Sequence, residues 1–156
     1  MSGVGLLLSC FLLSIASALM PWVNGEVLLL TLSAFASSPA HLAGLVLLAS
    51  AGQMTGKCIL YWTGRGVIPL KRGRFSEKIN SWRGRFERSS SKPMGLVFIS
   101  AVSGIPPFYV ITILAGVFHL RFSRFVIVGT CGRLLHFGVL VTIPQLGIQL
   151  FHAIAK

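Results

Sequence analysis

The chain has 156 residues, 54% of them hydrophobic, and a mean hydropathy of +0.81, well above the apolar share of a soluble domain. Its net charge of +11 is unevenly placed: most of the Lys and Arg lie between Arg65 and Lys92, together with Glu77 and Glu87. One integral membrane domain with a basic extramembrane segment fits this pattern, and a nucleic-acid partner is disfavoured, because the basic block is short and flanked by membrane-length apolar runs.

The first apolar block covers residues 3–36. Its start, "VGLLLSCFLLSIASALM", has an apolar region and an Ala-x-Ala-like stretch at Ala16–Ala18 but no positive residue before it, so a cleaved signal peptide is disfavoured. Pro21, Asn24 and Gly25 break the block in its middle, and Glu26 follows as its one charged residue. A charge in hydrocarbon costs at least ~2.5–3.5 kcal/mol on insertion scales, so it is expected to face a cavity or a partner.

The second block, 40–64, fits one membrane span, with Ser38 as cap and Pro39 at the first helical position. Gly52-x-x-x-Gly56 reads as a close-packing face. Lys57 sits within about two turns of the end of the span and can snorkel towards the surface.

Between the halves, Phe75, Ile79, Trp82 and Phe86 fall at helical spacings, and Lys78, Arg83, Arg85 and Arg88 occupy other faces. This predicts an amphipathic helix on a membrane surface, taking anionic lipid headgroups as its partners. Its role is either simple anchoring or headgroup sensing. "RSSSKPMG" turns the chain back towards the membrane.

The third block, 93–118, is broken by "SGIPPF", Ser103–Phe108, because consecutive prolines remove backbone donors from a helix. The fourth, 122–155, fits one span to Ile143, followed by Pro144 and a short tail. Arg133 lies about 15 Å into that span, near the midplane. His136 is on the same face and reads as a proton relay or a hydrogen-bonded packing residue. Gly129 and Gly132 read as another packing face. Cys10, Cys58 and Cys131 lie in apolar runs and read as small buried residues.

Helices broken at membrane depth need protein or a wet cavity around their exposed backbone. Blocks 3–36 and 93–118 are thus expected to be re-entrant helical hairpins, with two kinked full spans as the alternative. Each precedes an intact span, and Gly56-Lys57-Cys58-Ile59-Leu60-Tyr61 matches Gly132-Arg133-Leu134-Leu135-His136-Phe137 as glycine, base, any, aliphatic, any, aromatic. With the basic segment cytoplasmic, the two halves come out inverted. The predicted fold is therefore all-α: a single polytopic membrane domain of two inverted repeats, 1–64 and 93–156, joined by a basic amphipathic linker, 65–92.

The order of "NGE", then "GQMTGKCILYWTGRG", then "WRGRFERSSSKPMGLVFISAVSGIPPFYVITILAGVFHLRFSRFVIVGTCGRLLHF" resembles the DedA/VTT-domain membrane proteins, once called SNARE-associated Golgi proteins. The resemblance implies paired inverted repeats with membrane-embedded hairpins. It also implies movement of lipids between leaflets, including polyprenyl-phosphate carriers, with ion coupling in some members. Asn24 stands where the family's first hairpin often has proline. The second hairpin carries no arginine around its prolines, where the family often does.

The expected function is a transporter or scramblase moving a lipid between leaflets, with a phosphate-bearing carrier lipid as a candidate and proton coupling as an option. Glu26 and Arg133 would form the central polar pair. Asn24, Gly25, Ser103, Gly104, Pro106 and Pro107 would line the hairpin tips, with Lys57 and His136 nearby. The alternative is a non-transporting scaffold or assembly protein in which Glu26 and Arg133 are a structural ion pair. No enzyme is expected, since no nucleophile with a general base is present, and no metal or cofactor is expected either. The partners are membrane lipids, with a homo-oligomer left open. The expected location is the bacterial plasma (inner) membrane, with 65–92 cytoplasmic.

Overall fold

The structure, a computed structural model, describes residues 3–20, 23–36, 38–66 and 93–154, with side chains as far as Ile143. The linker residues Phe75, Lys78, Ile79, Trp82, Arg83, Arg85, Phe86 and Arg88 lie outside the described residues, as does Pro21. The described part is all-α: α1 Gly3–Leu19, α2 Gly25–Ser33, α3 Pro39–Gly64, α4 Pro93–Ser103, α5 Phe108–Val117 and α6 Phe122–Ile154.

Both expected breaks are present, and each is held by polar groups of the adjoining turns. Asn24 caps α2, its Oδ1 accepting from the Glu26 amide at 2.9 Å. In the second break Gly104 has φ +72°, a conformation glycine tolerates readily. Ser103 Oγ donates to Ile99 O at 2.7 Å and accepts from the Ile105 amide at 3.1 Å, while Ser100 Oγ donates to the Pro106 carbonyl. These hydroxyls satisfy backbone groups that the lost helical bonds leave open.

Lengths separate the helices into two kinds. α3 and the Phe122–Ile143 part of α6 are long and apolar enough to cross a membrane. α4 and α5, with 11 and 10 residues, each reach only about half the ~30 Å hydrocarbon thickness. The span expected to stop before Pro144 instead continues as helix to Ile154. A proline deletes one backbone hydrogen bond, and neighbouring groups in a membrane helix can make good that loss.

Glycines set the distances between helices. A Cβ on Gly52 would stand 2.9 Å from Ser14 Cβ and press on the Phe11 carbonyl, and one on Gly56 would stand 2.5 Å from Ala18 Cβ. The Gly52/Gly56 face therefore seats α3 on α1, as expected of a small-residue stripe. Gly132 meets Ala101 of α4 in the same way, at 2.6 Å.

Two apolar clusters flank this frame. Leu6, Cys10, Leu29, Leu45, Ala49, Phe137 and Val141 join α1, α2, α3 and α6. The second centres on α5, whose Phe108 and Val110–Gly116 are all buried, and it includes Tyr61 stacked on Phe125 with centroids 5.2 Å apart. A helix buried all round is apolar all round. The two broken pairs are thus unequal, because α2 has Leu29 as its only buried residue. Of the cysteines, Cys10 is buried as expected, whereas Cys58 is half-buried and Cys131 exposed.

Candidate functional site

The ends of α1 and α4, the starts of α2 and α5, and the middles of α3 and α6 enclose a cavity of about 410 Å³. Asn24, Gly25 and Glu26 line it from the first break, Gly104, Pro107 and Phe108 from the second, and Lys57 and Arg133 from the two long helices. Seven of the ten expected site residues therefore share one cavity. Ser103 is exposed and shapes the break, and Pro106 is buried with its carbonyl bonded to Ser100.

The acid does not bond where expected. Glu26 Oε1 lies 2.9 Å from His136 Nε2, so His136 of α6, rather than Arg133, makes the direct contact. The cause is reach: Glu26 stands in the first turn of α2 beside the end of α4, and His136 Nδ1 bonds Val102 O there. His136 therefore connects both breaks.

Arg133 is buried and sits between two rings, its Cζ 5.0 Å from the Phe108 centroid and 5.5 Å from that of Phe137. Its Nε has no hydrogen-bond partner among the described residues. A guanidinium over aromatic faces gains cation–π stabilisation but keeps donors for a ligand. Lys57 does not snorkel: it is 4% exposed, donates to Ala18 O at 2.9 Å, and lies 5.9 Å from the Phe108 centroid. Ala18 lies in the last turn of α1, against which Gly56 packs, so a carbonyl left open at the end of a broken helix accepts from the ammonium.

The two matched hexapeptides do equivalent work. Gly56 and Gly132 each abut an alanine near the end of the preceding pair's first helix. Lys57 and Arg133 both enter the cavity, and Tyr61 and Phe137 are both fully buried.

Sequence reasoning missed Ser17, Gln53 and Tyr109, all of which line the cavity. Gln53 Nε2 donates to Ser17 Oγ at 2.8 Å, and Ser17 Oγ donates to Ser14 O at 2.9 Å. A signal existed for Gln53, which precedes Lys57 by four residues on one helical face of an apolar span. Nothing in the sequence sets Tyr109 apart from its neighbours.

Among the described residues no group of three or more His, Cys, Asp and Glu is placed to hold a metal ion. The arrangement suits recognition of a polar group: two basic side chains, one carboxyl group, two amides and two hydroxyls line a space between apolar helices. These features define an all-α membrane protein with a charged cavity between two helix breaks. Residues 20–146 match the family model described as VTT domain, and the chain belongs to that family, the DedA/SNARE-associated Golgi proteins. No curated protein and no solved structure matches it.

Proposed function

We propose that the protein moves a lipid with a phosphate-bearing headgroup between leaflets, and that the headgroup enters the cavity between the breaks. The observation that carries this reading is the buried pair of cations, Lys57 and Arg133, converging on one 410 Å³ space with an unbonded Arg133 Nε. A buried cation without a full set of partners is costly, and an anion relieves that cost. The second break has no arginine, but these two span residues offer the same charge. The two short-helix pairs support re-entrant hairpins, and the equivalent placement of the two hexapeptides supports an inverted repeat with its site at the repeat interface. On this reading residues 65–92 lie on the cytoplasmic face of a plasma membrane, meeting anionic lipid.

The scaffold reading is favoured by one contact: the Glu26–His136 bond joins helices as a structural lock would. Leaflet exchange of labelled lipids in proteoliposomes, with thermal stability measured alongside, separates the two. A transporter gives exchange in the wild type, and a folded Glu26→Gln that has lost it. A lock gives no exchange in the wild type, with Glu26→Ala and His136→Ala both unstable.

A further inference from the structure

Beyond that reading, and independent of which ligand the cavity takes, we propose that Glu26 and His136 share a single proton that ties the two helix breaks together, and that losing it frees α2 from α6. The geometry dictates the proton count. His136 Nδ1 is bonded to the Val102 carbonyl oxygen, which can only accept, so Nδ1 carries a hydrogen. Nε2 faces Glu26 Oε1 at 2.9 Å. A neutral ring with its hydrogen on Nδ1 has only a lone pair at Nε2, and an ionised carboxylate has only acceptors. The bond therefore requires one further proton, either on Nε2 as imidazolium against carboxylate or on Glu26 as acid against imidazole. Both forms hold the same single proton, which belongs to the pair rather than to either residue.

When that proton leaves to water in the cavity, a carboxylate faces a lone pair and the bond is gone. The Nδ1–H bond to Val102 persists, so His136 stays with α4 and Glu26 is the partner that lets go. Glu26 is 42% exposed at its side chain and His136 16%, which gives the proton its exit on the Glu26 side. α2 is suited to moving, being nine residues long with Leu29 alone buried. The charged groups that line the same cavity are Lys57 from α3 and Arg133 from α6. α5 brings the Tyr109 phenol and α1 only the Ser17 hydroxyl to the same cavity, while Cys10 of α1 lies in the apolar cluster with Phe137. α4 carries no ionisable side chain. His136 is thus a positioning residue whose tie forms at low pH and breaks as pH rises.

The test is a pH titration of the ¹⁵N-histidine-labelled full chain in lipid nanodiscs, with His136 assigned by its loss in His136→Gln. Hydrogen exchange of the α2 amides, corrected for intrinsic rate, is followed in parallel. The expected result is an Nδ1 that stays protonated throughout, while the Nε2 resonance moves to that of an unbonded lone pair as the shared proton leaves. α2 exchange then rises about tenfold or more, the scale of a lost charge-assisted hydrogen bond. Glu26→Gln, whose amide donates to Nε2 at every pH, should keep the ring neutral and α2 exchange flat. Loss of the Nδ1 proton in the wild type would overturn the proposal on its own, even if Glu26→Gln failed to fold. So would identical pH dependence of α2 exchange in wild type and Glu26→Gln.

Discussion

Lys57 and Arg133 show how much a single side chain's surroundings decide. Both are basic residues in apolar helices, and both turn inward to the same aromatic ring, Phe108, instead of reaching for a membrane surface. Lys57→Met keeps a long side chain in place and removes the buried charge, so the fold should persist, because apolar replacement of a buried charge is often neutral or stabilising. Lipid exchange should fall about 10–100-fold, the scale of one charge-assisted hydrogen bond to an anion. Exchange rates and melting temperatures of the purified variant in proteoliposomes measure both. Glu26 and Arg133 stood out in the sequence as charges within apolar runs. Their partners were not, since Glu26 is paired by His136 across 110 positions of sequence and only the packing of α2 beside α6 sets that contact.

At the scale of the element, prolines, glycines and caps carried most of the information. Asn24 and Ser38 cap the helices they precede, and "SGIPPF" separates α4 from α5. Pro144 was the exception, because a proline inside an apolar membrane helix kinks or weakens it without having to end it. The close helix contacts give a sharp contrast between glycines. Gly52→Val drives a branched side chain into Phe11 and Ser14, and should destabilise by about 1–3 kcal/mol or more, lowering the melting temperature. Gly138 has nothing within 4 Å of an added Cβ, so Gly138→Ala should be neutral or stabilise by up to about 1 kcal/mol in the same thermal scan. The burial of α5 against the exposure of α2 was not legible, since both read as short apolar runs and only the tertiary arrangement distinguishes them.

For the whole molecule, hydropathy and charge set out two long helices, two broken pairs and one basic segment in order. They left open how the pairs lie in a bilayer. Re-entrant hairpins put both ends of a pair on one side. Single cysteines at Val4 and Phe35, both exposed, should therefore react with a membrane-impermeant maleimide from one side of sealed vesicles. Cysteines at Pro93 and His119 should react from the other side. Kinked full spans would instead divide each pair across the membrane. In the proposed function the polar cavity between the breaks is the site, because there the broken pairs and the two long helices turn charged and backbone groups to one space.

The most direct measurement is leaflet exchange, in wild-type proteoliposomes, of a labelled polyprenyl phosphate beside the matching phosphate-free polyprenol. The two lipids share their tails and differ only in the group that Lys57 and Arg133 would hold. Protein-dependent exchange of the phosphate-bearing lipid alone is the predicted result. Equal exchange of both, or of neither, would contradict a headgroup site between the breaks.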